Sequence, residues 1–448
     1  MKRVFAVVFS LSFLFVAFAT TAQAGYLYVF RNDAGGNQIY GFSVNEVSGA
    51  TTLLPGFPLA TGGTGGVLFP SGHLTIDQKN RRLYAINDGS DTVSAYSIDP
   101  GTGALTPLPF SPLTLEKFAS WTEVAIHPSG SPLIIGTFQG KLCTYAISST
   151  TASLVQNPFA IGTAPESSIF SRDGNFFYVG GISKVVGFSV NPANAILTEL
   201  SGSPFMVDGG PVGYSMDSQG RLFLMEYGQA RLRVFLTAGG TFTPVAGNPF
   251  NGLSQSVESV LHPNGNFLFQ ASRGSDMIGS YKISGTGAAT TLSAITPSPV
   301  ATGGSDPNAL EINHAGTFLF TANANSRNLT TFKINSTSGV LTNVAVQPPD
   351  SLGATGYITG MDYIGLVVVS GRVVTAGGRN ILGAIVTLTD MDGNRREART
   401  NGSGYFRLTG VQAGGTHTLA VRHKIFTFAP QEIAISDELT ELVIAAQQ

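Results

Sequence analysis

Seven times along this chain the same phrase returns: a reverse turn, an apolar strand, a polar loop, a second strand, and a turn leading into a proline-centred segment. The turn and first strand are read at Asn80–Tyr84, Gly130–Ile134, Gly174–Tyr178, Gly220–Leu224, Gly265–Phe269 and Gly316–Phe320, and Tyr26–Phe30 (YLYVF) is a seventh copy of the strand. Prolines keep the same beat at Pro58, Pro112, Pro158, Pro204, Pro249, Pro299 and Pro348. A period of roughly 40–50 residues holding four short strands is that of β-propeller blades, which must stack on neighbours to bury both faces. Seven copies predict seven blades. The strand before each reverse turn is expected to be the innermost of its blade. The last such strand, Tyr357–Asp362, lacks a partner in its own repeat, and the orphan Tyr26–Phe30 fits that vacancy. Pairing the two would close the ring and hide its sheet edges.

Composition agrees with an all-β chain: 55 glycines, many β-branched residues, turn clusters of Asn, Asp, Ser and Gly, and only 12% charged residues. The net charge of −2 comes without a basic stripe, which excludes nucleic acid as a partner. Cys143 is the only cysteine, so neither an intramolecular disulfide nor a thiolate metal cage is available, and its apolar strand predicts a buried structural thiol. Residues 1–24 read as a secretory signal peptide. Lys2 and Arg3 precede an apolar run to Ala19, and Ala22-Gln23-Ala24 supplies the cleavage site. The expectation is export to the periplasm or beyond, with no membrane span after signal removal and no lipid-anchoring cysteine.

After Gly365 the texture changes. Residues 366–448 hold short alternating strands separated by turns such as Asp392-Gly393 and Asn401-Gly402, which predicts a small β-sandwich. The succession SGRVV, GAIVTLTD, DGNRREARTNGSGYFRLTGVQAG and HTLAV resembles the carboxypeptidase regulatory-like module, a prealbumin-like sandwich. That resemblance implies an accessory domain without activity of its own. The repeats over residues 25–365 are similar to lactonase-like seven-bladed propellers, the 6-phosphogluconolactonase-like and YVTN-repeat group. The likeness is carried by RLYAINDGSDTVSAYSIDPGTGALTPLPFSP, HPNGNFLFQASRGSDMIGSYKI and HAGTFLFTANANSRNLTTFKINSTSGVLT. The resemblance implies the fold and brings lactone hydrolysis into consideration.

No short catalytic signature is present: no GxSxG elbow, HExxH helix, Walker loop, dinucleotide fingerprint or EF-hand loop. Counting back from each reverse turn gives the residues expected to face the channel near its mouth: His73, Glu123, Ser167, Gly213, Glu258, Ala309 and Ile358. Two residues along come Thr75, Ala125, Ile169, Ser215, Val260, Glu311 and Gly360. Trp121 would share the face of Glu123 and stack on a flat ligand. Lactone opening needs a base for water, His73 or Glu123, and groups that orient the substrate, Glu258 or Arg273, with Glu311 nearby. A divalent cation held by His73, Glu123 and Glu258 would supply the electrophile. His127 and His262 occur in His-Pro-Ser-Gly and His-Pro-Asn-Gly turns and read as structural.

Few charged residues and six histidines, two of them in turns, weigh toward a binding scaffold whose channel-mouth loops engage a glycan, a peptide or a cell-envelope protein. The alternative is a hydrolase opening a lactone or sugar-derived ester, for which a carbohydrate or lactone would be the ligand. A third class is an envelope structural protein with the sandwich as a docking spacer.

Overall fold

The computed structural model describes residues 25–66, 72–117, 121–390, 393, 395–412, 416–435 and 439–447. The expected signal peptide lies outside the described residues. Seven antiparallel sheets of four or five strands follow one another around a ring, and no α-helix occurs among the described residues. The innermost strands are Tyr357–Ile364 in blade 1, then Leu74–Asp77, Trp121–Ile126, Ser167–Phe170, Pro211–Met216, Ser256–Leu261 and Pro307–Ile312 in blades 2 to 7.

Closure occurs as the orphan strand predicts. Gly25–Asn32 pairs with Tyr357–Ile364 on one side and with Gln38–Val44 on the other, so blade 1 is built from both ends of the propeller. The register sets Tyr28 opposite Asp362. The count from the turns misses this, because it sets Gly360, two residues earlier, at the lower ring position of blade 1. One equivalence also shifts in blade 5. Ser215 pairs with Phe223, so Phe223 rather than Leu224 matches Tyr28.

The core is divided into wedges between blades. Tyr28, Phe30, Ile76 and Leu83 fill the wedge between blades 1 and 2, and Tyr84, Trp121, Ile135 and Cys143 fill the next. The largest of these side chains are fully buried, each worth about 1.5–3 kcal/mol of apolar transfer. Cys143 is the inert thiol expected; burial pushes its pKa up to about 12. His127 Nε2 meets the Gly174 carbonyl at 2.9 Å and His262 Nε2 meets that of Gly316 at 2.9 Å, so these histidines fasten one blade's turn to the next.

The recurring prolines mark a second device. In blade 2 the third strand pairs with two separate outer segments, Leu105–Pro107 and Leu113–Thr114, leaving the Ala95 N–H between them without a ladder partner. Ser111, just before Pro112, accepts that N–H at 2.9 Å. Ser203, Asn248 and Ser298 do the same for Gly187, Val234 and Ser280. A buried backbone donor left unpaired would be costly, and the residue before the proline removes the cost. Pro112, Pro204, Pro249 and Pro299 all follow cis peptide bonds.

Gly365 alone separates the inner strand of blade 1 from Leu366–Val374, the first strand of the C-terminal sandwich. Its seven strands form a three-stranded sheet and a four-stranded sheet around Val369, Val386, Leu388, Phe406, Leu408 and Leu419.

Tyr28 tests the closure directly. It is fully buried and donates from its hydroxyl to the Gly103 carbonyl at 2.7 Å. Tyr28→Ala is expected to lower the unfolding free energy of the propeller by about 3–5 kcal/mol, and Tyr28→Phe by only about 1 kcal/mol. Denaturant unfolding of the two variants measures both; equal losses would refute the packing argument.

Candidate active site in the central channel

The inner strands leave an axial channel whose upper part is a cavity of about 350 Å³. Its wall includes Glu123, Glu166, Ser167, Ser168, Glu258, Asn308, Ala309, Thr359 and Gly360. A repeated irregularity aims these residues. The pairing of the inner strand with its neighbour skips one residue between Trp121 and Glu123, between Ser256 and Glu258, and between Pro307 and Ala309. An extra residue in one strand turns the side chains on either side of it to different faces. Glu123 and Glu258 thus reach the cavity while the residues before the skip do not.

That bulge corrects one expectation. Trp121 does not share the face of Glu123: it is fully buried between blades 2 and 3, with its Nε1 donating to Asp91 Oδ1 at 3.0 Å. No ligand can stack on it. His73 is a second correction. It occupies the equivalent position on its strand, yet its imidazole is fully buried, edge-on to Phe30 with ring centroids 6.3 Å apart, and hydrogen-bonds the Trp121 backbone. Gly72, Leu74 and Thr75 form that part of the wall instead. Burial lowers the His73 pKa, the charge of Asp88 and the Trp121 bond opposing. In blade 1 the ring position belongs to Gly360, where a Cβ would press on Leu74 at 3.0 Å, whereas Ile358 is fully buried core.

Arg273 stands outside the cavity wall. Its guanidinium grips Asp306 through Nε to Oδ1 at 2.5 Å and a second nitrogen to Oδ2 at 3.0 Å, and a nitrogen also donates to the Tyr357 hydroxyl at 2.6 Å. Tyr357 donates to Asp306 in turn. This clasp joins blades 6, 7 and 1, so Arg273 is a structural tie and not a loose substrate-orienting group. Glu311 lies one storey lower, in the wall of a second cavity of about 620 Å³ with His127, His262, His314 and Leu439.

The carboxyl groups that do converge have little to balance them. Glu123 accepts from Ser168 Oγ at 2.5 Å and from the Gly72 N–H at 3.2 Å. Glu258 accepts from the Ser259 N–H at 3.1 Å. Burial pushes the Glu123 pKa up to about 7 despite those donors. It pushes Glu258, with fewer donors and the charge of Glu123 nearby, to about 8. Glu166 is raised by burial alone. Below them Glu311 is raised well above the ordinary range by burial and by Asp362, which burial lifts to about 7.

Four polar wall residues escape the sequence reading: Ser168, between two counted positions, and three more. Glu166 precedes a ring position, and Asn308 and Thr359 sit at bulges; both are buried, and Asn308 Oδ1 and Thr359 Oγ1 have no hydrogen-bond partner. The pairing of Tyr28 with the last inner strand would also have revealed Asp362. A cation held by His73, Glu123 and Glu258 does not fit, since His73 is committed elsewhere. Among the described residues no three His, Cys, Asp or Glu side chains gather as metal ligands.

Raised carboxyl pKa values make stability depend on pH. The folded protein holds protons that the unfolded chain releases near pH 4.5, so folding stability falls as pH rises through about 7 and 8 and is lowest above that. Thermal unfolding should show a falling Tm between about pH 5 and pH 9, and Glu258→Gln should flatten that fall. A Tm that rises over this window would contradict the assignment.

The sequence matches the family model "Lactonase, 7-bladed beta-propeller" over residues 19–212 and 222–351, and "Carboxypeptidase regulatory-like domain" over 368–445. Comparison with curated proteins gives no match. Among solved structures, one provisionally described as a 6-phosphogluconolactonase from Bacteroides fragilis is similar with TM-score 0.65 at 18% identity, covering 77% of this chain and 99% of its own. The periplasmic gluconolactonase PpgL of Pseudomonas aeruginosa is similar with TM-score 0.60 at 18% identity, covering 76% and 99%. At such identity these likenesses concern the fold. No helix among the described residues is long and apolar enough to cross a membrane. With seven closed blades, a sandwich behind them and a family model matched over most of its length, this chain belongs to the lactonase seven-bladed β-propeller family.

Proposed function

We propose that the upper channel cavity is the active site of a hydrolase that opens a lactone or a sugar-derived ester, acting after export directed by residues 1–24. The observation that carries this is that Glu123 and Glu258 line one cavity, close enough for the charge of Glu123 to raise Glu258, with Glu123 the better supplied with hydrogen-bond donors. Pairs of acids whose environments push their pKa values apart are suited to acid–base work near neutrality. A low overall charge argues for a scaffold, but three glutamates, with no cation among the described wall residues, share this one cavity. Lactonase family membership and the names of the two similar structures support the same reading.

Glu123, with more donors than Glu258 favouring its ionised form, takes a proton from water as the water oxygen attacks the acyl carbon. Glu258, which keeps its proton longer, delivers it to the ring oxygen as the acyl carbon–oxygen bond breaks. The product is the open hydroxy acid, and solvent returns the proton from Glu123 to Glu258.

Purified protein assayed on a panel of lactones tests this. The working form needs Glu123 ionised and Glu258 protonated, so kcat/KM should follow a bell with limbs near pH 7 and pH 8 belonging to the coupled pair. Glu123→Gln and Glu258→Gln should each lower the rate about 100-fold or more, and EDTA should leave it unchanged. Full activity in both variants would reject this site.

A further inference from the structure

The chemistry of the cavity wall defines what it will admit. Its charged members are Glu123, Glu166 and Glu258, and no Lys, Arg or His belongs to the wall among the described residues. The segments flanking Gly72 and Trp121 in sequence, 67–71 and 118–120, carry no Lys, Arg or His either. The nearby rim cation, Arg273, is held by Asp306 and Tyr357. No helix N-terminus faces the cavity to stand in for a cation, because the described residues contain no α-helix.

Two polar atoms are left over in the wall, an amide oxygen that accepts and a hydroxyl that accepts and donates. Asn308 Oδ1 is buried without a partner while Nδ2 of the same side chain donates to the Ile358 carbonyl at 2.7 Å. Thr359 Oγ1 is likewise buried and unpartnered. Asn308 Oδ1 calls for a ligand that donates, the Thr359 hydroxyl takes either role, and a polyol presents many hydroxyls that donate and accept without charge. A phosphate dianion offers only acceptors and needs a cation or a nest of N–H groups. A carboxyl group that keeps its proton gives one hydrogen bond and cancels no charge.

We infer that this site takes uncharged polyhydroxylated lactones and rejects their phosphorylated counterparts, with Glu166 as the residue that enforces the choice. This rests on the hydrolase reading and deepens it. Glu166 serves selectivity here: its carboxyl offers an anionic substituent no cation to pair with, whereas Glu123 and Glu258 carry the proton transfers. A dianion that gives up water for a wall of carboxyl groups and no cation loses enough to separate the two substrates widely.

The test compares kcat/KM for glucono-1,5-lactone and for its 6-phosphate ester, in the wild-type protein and in Glu166→Gln and Glu166→Arg. The unphosphorylated lactone should be favoured at least ~100-fold by the wild type, and Glu166→Arg should narrow that ratio ~10-fold or more by gaining on the phosphate ester. Equal rates on both lactones, or an unchanged ratio in a folded Glu166→Arg protein, would overturn the inference while leaving the hydrolase standing. If neither lactone is opened, the hydrolase reading fails, and calorimetric titration of wild-type protein with gluconolactam and its 6-phosphate still decides selectivity. Tighter binding of the neutral compound supports it; equal or tighter binding of the phosphate ester refutes it.

Discussion

The structure depends on the pairing of one strand from each end of the propeller. Only when Gly25–Asn32 lies against Tyr357–Ile364 do seven inner strands stand around one axis, and only then does a cavity exist between Glu123 on blade 3 and Glu258 on blade 6. Neither blade contacts the other directly as a packed sheet. Their geometry is inherited from the wedges of apolar side chains between them, each tight enough that the ring has little freedom to relax. A site assembled across such a ring is rigid without needing local support from helices or metal.

Within that frame, desolvation does the tuning. The carboxyl groups sit deep between the inner strands with few water contacts and no neighbouring cation among the described wall residues, so they hold protons at pH values where surface carboxylates are ionised. The distinction between Glu123 and Glu258 then comes from small differences in donors: the hydroxyl and N–H of Ser168 and the Gly72 N–H for one, a single N–H for the other. Repeat architecture makes this asymmetry available, because equivalent positions on different blades can diverge while the backbone stays alike.

Much of this is legible in the sequence. Tyr28, Tyr84, Ile134, Tyr178, Phe269 and Phe320 mark equivalent strands, the spare strand predicts the closure, and counting from turns finds Glu123 and Glu258. What is not legible is finer than a two-residue period. A bulge before Glu123 sends Trp121 into the core, and nothing in the residue types announces it. His73 keeps its position in the count, but its ring has an apolar wedge and a backbone acceptor within reach, and it goes there. The Arg273 tie needs Asp306 and Tyr357, which come from two other blades and meet it only after closure.

The strand that completes the ring runs on, through Gly365 alone, into the sandwich. Any partner that holds the sandwich while the propeller is dragged away therefore applies its force along Tyr357–Ile364. That strand is bonded to Gly25–Asn32 through seven registered pairs lying side by side, so the load shears them together instead of peeling them one by one. The clasp of the propeller is also its mechanical anchor, and the endurance of a tethered molecule under tension is set by how slowly that one pair of strands slides apart.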